Sequence, residues 1–502
     1  MGEMRMRKWF VWLSLFGWLW VSLVPQPARA DAPPREFRAF WVDAFHDGFK
    51  TPAQVDKLID DVQKSHANAV IVQVRRRGDA YFNKALEPRT EDPALQPGFD
   101  ALAYLIEKAH QARPRIEVHA WLATLPIWNS ATPPKSPQHV FNTHGPSAQG
   151  RDYWLMNRVD GVNRDGANYI LDPGHPDALD YTVEQYLNVV RQYDVDGIHL
   201  DLVRYMGPEW GYNPVSVERF QQQTGTTGLP DPQDERWKAW RREQVTFLMR
   251  KVYLKAIAIR PDIKVSAAVI AWGAGPSTPE AYRQSAPYTQ VMQDWDGWLQ
   301  KGFIDMAIPM NYDREHVESQ KLWYDQWIEW EKDHQYGRQI VIGPGVYLNA
   351  ISGSLAQIKR AQMPSANGHR AAGVSLYSYA ETNKDTIPND TFYTALSQPN
   401  SYGEPVFAER AEIPDMPWKS RPTKGYLMGK VTNAKGQPVD GETVKIKGSG
   451  WDWYESKTDG SGFFGLSDLS PGYYLVKVDG AVPKVVQVKA GRVAETDLQM
   501  KK

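Results

Sequence analysis

The chain has 502 residues, with 58 basic against 59 acidic side chains and a net charge of −1. That balance speaks against a general nucleic-acid binder, which needs a basic face, and against a polybasic membrane-surface protein. Cysteine is absent, which excludes disulfides, cysteine nucleophiles and thiolate metal sites.

The first predicted element is a targeting segment. "MGEMRMRKWF" carries Arg5, Arg7 and Lys8, "WFVWLSLFGWLWVSLV" is an apolar run, and "PARA" places Ala28 and Ala30 in a small-x-small cleavage pattern. Residues 1–30 are therefore expected to be a signal peptide, with the mature chain starting near Asp31 in a secreted, periplasmic or cell-envelope location. No later stretch is long and apolar enough to span a bilayer.

Short apolar strand candidates then alternate with helical patterns. The strands are "FRAFWVDA" (37–44), "AVIVQVR" (69–75), "IEVHAWLAT" (116–124), "DGIHLDLVRY" (196–205), "IKVSAAVIAW" (263–272), "FIDMAIPMNY" (303–312), "QIVIGPGVYL" (339–348) and "AGVSLYSYAE" (372–381). "TPAQVDKLIDDVQKS" begins with a Thr N-cap and Pro52 at the first helical position. Eight such strands with intervening helices are the pattern of a (β/α)8 TIM barrel, expected over 31–400. The irregular segment 125–171 would be an elaborated loop on the face where barrels build their sites. A Pro-rich linker or strap is expected over 401–424. Short alternating strands over 425–502 predict a small all-β sandwich.

Strand parity selects candidate site residues, because alternate side chains point into the barrel. On strand four, Ile198, Leu200 and Leu202 should face the helices. His199 and Asp201 then point inward, Asp201 near the C-terminal mouth. A carboxylate there needs a partner, such as Arg75 or Arg204, or a task. On strand six, Ile304, Met306, Ile308 and Met310 form one face, and Asp305, Asn311 and Asp313 the other, with Tyr312 adjoining. Strand eight puts Ser375, Tyr377, Tyr379 and Glu381 on one parity. Trp41 and Asp43, Gln73 and Arg75, and His119 and Trp121 belong to strands one to three, and Arg204 and Tyr205 follow strand four.

Acids among aromatics at one barrel mouth suit glycoside hydrolysis. One carboxylic acid protonates the leaving oxygen and a carboxylate attacks carbon or activates water. The 20 Trp and 24 Tyr supply flat faces for sugar rings. The expected partner is a polysaccharide, with no cofactor and no metal. Two alternatives remain: a non-catalytic glycan-binding barrel, and a metal-dependent deacetylase using His119, His199 and Asp201.

The stretches "EFRAFWVDAF", "VIVQVRRRGDAYF", "VDGIHLDLVRY", "MQDWDGWLQKGFIDMAIPMNYD" and "GVSLYSYAET" together resemble the glycosyl-hydrolase-like family ten, a group of exported bacterial barrel proteins. They cover most of residues 35–400. The resemblance implies glycan cleavage, with peptidoglycan strands among the suspected substrates, and Asp201 as the strand-four catalytic acid. The chain departs from the family pattern at Leu202, where members often carry a second acid, and at "MNYD", where they carry an aromatic pair. Likeness to retaining barrel glycosidases, which place an acid/base at strand six, then implies Asp313 as the second acid, with Glu381 in reserve. The C-terminal module resembles carboxypeptidase-regulatory-like or immunoglobulin-like sandwiches. Its "GSGWDWYES" offers Trp451 and Trp453 as a glycan-binding patch, since alternate strand residues share a face.

Overall fold

The computed structural model describes residues 34–450 and 453–501. The expected signal peptide and Trp451 lie outside the described residues.

Eight parallel strands close into a barrel: β1 Phe37–Val42, β2 Ala69–Arg75, β3 Glu117–Ala123, β4 Gly197–Asp201, β5 Lys264–Ile270, β6 Met306–Asn311, β7 Gln339–Pro344 and β8 Gly373–Leu376. β8 pairs back onto β1, with Phe37 opposite Gly373. The principal helices outside it are α1 Pro52–Lys64, α2 Ala101–Gln111, α3 Pro176–Gln192, α4 Glu235–Ile259, α5 Trp295–Gln300, α6 Glu318–Asp333, α7 Ile351–Gln362 and α8 Asn389–Ser397. α1 starts as its sequence dictates. The Thr51 hydroxyl accepts the Gln54 N–H at 3.3 Å, Pro52 opens the first turn, and Val55, Leu58, Ile59 and Val62 form the buried stripe.

The barrel interior is apolar in its lower layers, built from Phe37, Ala39, Ile71, Met306, Ile308 and Val341, with Trp41 and Trp121 above them. The outward set, including Val70, Val72, Ile198, Leu200, Ile340 and Ile342, joins the helices in the main core. On β6 the expected parity is reversed. Met306, Ile308, Met310 and Tyr312 face the interior, whereas Asn311 turns to the helix layer, where its Nδ2 donates to Glu331 of α6 at 3.0 Å. The large apolar side chains fill the barrel, and the polar set finds partners that the strand's own sequence does not display.

Residues 401–424 run against the barrel and close its floor. Ile413, Met416 and Trp418 pack into the interior cluster from below. The fully buried Asp305 holds them there. Its Oδ1 accepts the Trp418 indole N–H at 2.7 Å and the Tyr253 hydroxyl at 3.1 Å, and its Oδ2 accepts the Val265 N–H at 2.8 Å and meets Lys419 Nζ at 3.0 Å.

The C-terminal module has two four-stranded sheets. One contains β9 Gly425–Thr432 between β12 Phe463–Leu469 and β15 Val493–Glu495, with β16 Leu498–Gln499 also on β9. The other has the order β11 Trp453–Lys457, β10 Thr443–Lys447, β13 Gly472–Lys477, β14 Lys484–Val488. Leu427, Val444, Ile446, Phe464, Tyr474 and Val476 fill the space between them. The module is fixed to α4. Arg250 donates to the Ser456 hydroxyl and to the carbonyls of Lys457 and Phe463 at 3.0–3.1 Å, and Lys251 pairs with Asp459 at 3.1 Å. Gly465 lets helix and module approach closely, since a Cβ there would lie 2.2 Å from the end of the Leu254 side chain and force it to move. With the barrel on one side and the module on the other, α4 buries residues around its whole circumference, including Trp237, Arg241, Phe247, Arg250 and Tyr253.

Candidate active site

Two grooves of about 760 and 740 Å³ lie away from the barrel mouth, one beside the C-terminal module and one along α6. A smaller cleft, about 330 Å³, sits at the C-terminal ends of the strands and is the one that contains a strand-end carboxylate. Trp41, Trp121, Tyr312 and Tyr377 line it from the barrel strands and their ends, joined by Tyr347 and Trp272 from the loops and by Asp201, Leu202 and Arg204 after β4. The rings pack edge and face. Tyr312 stacks on Tyr377 at 5.3 Å between centroids, and Tyr347 meets both at 6.0 and 5.7 Å.

Asp201 ends β4. Trp121 lies two residues before the position opposite it, and its indole N–H donates to Asp201 Oδ2 at 3.1 Å. The other oxygen accepts the Leu202 N–H at 2.7 Å. Leu202 adopts φ +54° to present that N–H. This left-handed conformation costs a leucine about 1–2 kcal/mol and is the kind of backbone strain that accumulates at functional sites. Burial raises the Asp201 carboxyl above the usual carboxylate range, opposed by the Leu202 N–H, the Arg204 guanidinium and the Trp121 N–H. Arg204, itself lowered by burial, lies over Trp272 at 5.3 Å.

His199 lies below this layer and has no exposure. Burial drives its pKa well below 6.5, so the imidazole is neutral. Its Nε2 accepts the Trp41 indole N–H at 3.1 Å, which puts the ring proton on Nδ1, 2.9 Å from the Ser266 hydroxyl. Both ring nitrogens are thus engaged in holding the cleft floor. That removes His199 as a free ligand for the deacetylase alternative.

A chain of three groups reaches the rim. Asp43 accepts the backbone N–H groups of Phe45 and His46 at 2.8 and 3.0 Å, and the His46 Nδ1–H at 2.9 Å. This leaves His46 Nε2 facing Glu381 Oε1, 3.5 Å away, a contact that is attractive when both ring nitrogens carry a proton. His46, like Tyr347 and Trp272, is not among the residues that strand parity selects, because each stands on a loop beyond its strand.

The remaining expected residues are placed elsewhere. Arg75 is buried in a bidentate pair with Glu87 at 2.7 Å and donates to the carbonyls of Ala123 and Thr124. His119 sits in the lower barrel, 3.2 Å from Glu117, which also pairs with Lys264. Tyr205 turns into the core toward Asp172. Tyr379 donates to Asp61 at 2.6 Å and stacks on Tyr393, because regular strand geometry stops at Leu376 and the expected parity lapses with it.

Asn311 and Asp313 belong to a buried cluster behind β6 rather than to the cleft. Asn311 Oδ1, Asp313 Oδ2 and Glu331 Oε2 have no hydrogen-bond partner among the described residues. Burial pushes Asp313 up to about 7 and Glu331 up to about 8. The native state therefore binds a proton that the unfolded chain releases near the ordinary glutamate value, so stability falls as pH climbs from about 4.5 to about 8. Glu331→Gln keeps the acceptor for Asn311 and removes the charge. Urea unfolding of this variant should show a shallower loss of stability across that window and a gain on the order of 4 kcal/mol at its upper end.

Comparison with known proteins follows the same lines. Residues 36–384 match the family described as Glycosyl hydrolase-like 10. The chain is similar to glycosyl hydrolase YngK of Bacillus subtilis (strain 168), with 25% identity over 463 residues, covering 87% of this chain and 83% of that protein. It is also similar to glycosyl hydrolase DigH of Escherichia coli (strain K12), with 26% identity over 302 residues, 59% of this chain and 64% of that one. The PgaB (BpsB) glycoside hydrolase domain from Bordetella bronchiseptica shares the fold, at a TM-score of 0.50 and 16% identity over 72% of this chain and 98% of that one. With a matching barrel, a strand-end carboxylate and a match over most of its length, the chain belongs to the Glycosyl hydrolase-like 10 family.

Proposed function

We propose that this protein is an exported glycoside hydrolase that cleaves a polysaccharide, with peptidoglycan glycan strands as the leading substrate class. The observation that carries the reading is Asp201. Its carboxyl is held at an aromatic cleft by an indole and a backbone N–H, with its proton retained above the usual carboxylate range. A raised carboxyl of this kind is suited to protonate a glycosidic oxygen. The Trp and Tyr rings offer faces for the sugars on either side of the scissile bond.

Glu381 serves as the second carboxylate, aimed from the rim by His46 and Asp43. The similarity to the glycosyl hydrolases YngK and DigH supports the reaction class. The signal-like N-terminus supports export.

Reducing-end release from purified glycan strands and a polysaccharide panel tests the reading. Cleavage of at least one polymer is expected, and tight binding with no cleavage of any overturns it in favour of a glycan-binding barrel.

A second test isolates Asp201's environment. The Trp121 N–H holds the Asp201 pKa down, so Trp121→Phe should raise it further. For a general acid, the alkaline limb of the kcat profile then moves to higher pH while kcat near neutrality falls. A limb that stays in place or moves to lower pH would mean that Asp201 is not the proton donor.

A further inference from the structure

Among the described residues of the barrel, three large aromatic side chains stand open to solvent: Phe45 at 54%, Trp272 at 45% and Tyr336 at 42% exposed. Tyr336 donates its hydroxyl to Asp296 at 3.2 Å and does not line the cleft. Phe45 and Trp272 both do. A single bare apolar residue is ordinary on a protein surface, whereas two bare rings sharing one cleft mark a place where something binds.

Strand order fixes where they stand. Phe45 follows β1 and Trp272 follows β5. The barrel runs β1-β8-β7-β6-β5-β4-β3-β2, so these two strands are four steps apart in either direction. The rings are therefore on opposite sides of the mouth. Asp201 ends β4, next to β5, and lines the same cleft, so a chain laid from Phe45 to Trp272 passes its carboxyl. Each bare ring also has a guanidinium from the end of a neighbouring strand over it. Arg76, just past β2, lies 4.0 Å from the Phe45 centroid, and Arg204, past β4, lies 5.3 Å from that of Trp272. A cation over one face holds the ring's orientation. The exposed area then belongs to the other face and the edges.

We propose that the cleft binds the interior of a glycan chain, with Phe45 and Trp272 as platforms for sugars on the two sides of the bond beside Asp201. The identity of the chain as a glycan rests on the hydrolase reading above. A flat ring with one open face suits the apolar C–H face of a sugar. Because both rings are open to solvent, neither end of the row is walled off, and the chain continues past each. Cleavage then falls within chains rather than at their ends.

The test uses the full-length protein with purified peptidoglycan glycan strands and the polysaccharide panel. Binding is measured on the Asp201→Asn background, so that a bound strand stays whole. Phe45→Ala and Trp272→Ala should each weaken binding about tenfold. Phe45→Tyr and Trp272→Phe, which keep a flat ring, should restore it. The Tm should not move, because both side chains are exposed. With the unmodified chain, size-exclusion chromatography should show strands of intermediate length before any disaccharide appears. Disaccharide from the first turnovers, with the remaining strands undiminished in length, overturns interior binding. So does a loss confined to one of the two alanine variants, which describes a pocket open on one side. Binding that neither variant weakens, or no binding of any polymer, overturns the platforms. Binding weakened by both variants, with no cleavage by the unmodified chain, keeps the platforms and removes the hydrolase reading alone. A dimer in solution that both alanine variants dissociate assigns the rings to a second copy of the chain and overturns the glycan assignment.

Discussion

Asp201→Asn should abolish glycan cleavage while leaving the protein folded. The amide keeps the size of the carboxyl, and its one oxygen can still accept either the Leu202 or the Trp121 N–H, so the cleft should keep its overall shape. What it cannot do is release a proton to a departing sugar oxygen. General acid catalysis contributes about 10²–10⁴-fold, and the variant's kcat should fall by that order or more. Its stability should fall by no more than about 1 kcal/mol, the loss of one hydrogen bond, because burial already disfavours the ionised form that the substitution removes. Parallel measurement of reducing-end release and thermal unfolding separates the two effects. Unaltered cleavage with unaltered stability would remove Asp201 from the mechanism.

The second large effect lies at the opposite end of the barrel. Asp305→Ala should destabilise the protein by about 3–5 kcal/mol, the usual result of removing one partner from a buried charged pair. It leaves Lys419 buried without its counter-ion and strips acceptors from the Trp418 indole and the Tyr253 hydroxyl. The strap that seals the floor should then detach before the barrel melts, with hydrogen exchange at 413–420 rising first. Replacing both charges, Asp305→Leu with Lys419→Met, should recover much of the loss, since no unpaired charge remains. A loss for Asp305→Ala below about 1 kcal/mol would mean that the strap is held by its apolar contacts alone.

The barrel was legible in the sequence because its strands alternate with capped helices, and β4 was legible as far as Asp201; Leu202, expected to face the helices, instead lines the cleft, because the strand ends before it and its φ is +54°. Ile198 and Leu200 are unambiguous outward residues, so His199 and Asp201 had one direction left. β6 was not, because both of its parities hold apolar side chains. The choice between them rests on Glu331 and on the width of the interior, neither of which is local. Arg75 shows the same limit. Its partner Glu87 lies in a loop twelve positions on, invisible to any reading of strand two. Tyr379 followed a period that the chain abandons after Leu376. Trp272 and Tyr347 fall within the expected strands 263–272 and 339–348, but those strands end at Ile270 and Pro344, and with His46 they stand where no regular period sets which way a side chain turns, so the aromatic wall and the His46 link emerge only in three dimensions.

The helix α4, covered on every side, has a consequence for modularity. Accessory modules commonly pass between enzymes as interchangeable parts joined by a free tether. Here the guanidinium of Arg250 and the ammonium of Lys251, both rooted in the barrel's own helix, find their partners in the module. Excising the module would leave Arg250 without its acceptors and an apolar strip bare on the barrel, with Lys251 keeping only Asp180 of α3. Grafting a foreign module would require it to supply carbonyls, an acid and a glycine at the same places. Barrel and module are therefore coupled physically, and substitutions along α4 should disturb the fit of β11 and β12 rather than the cleft at the barrel mouth.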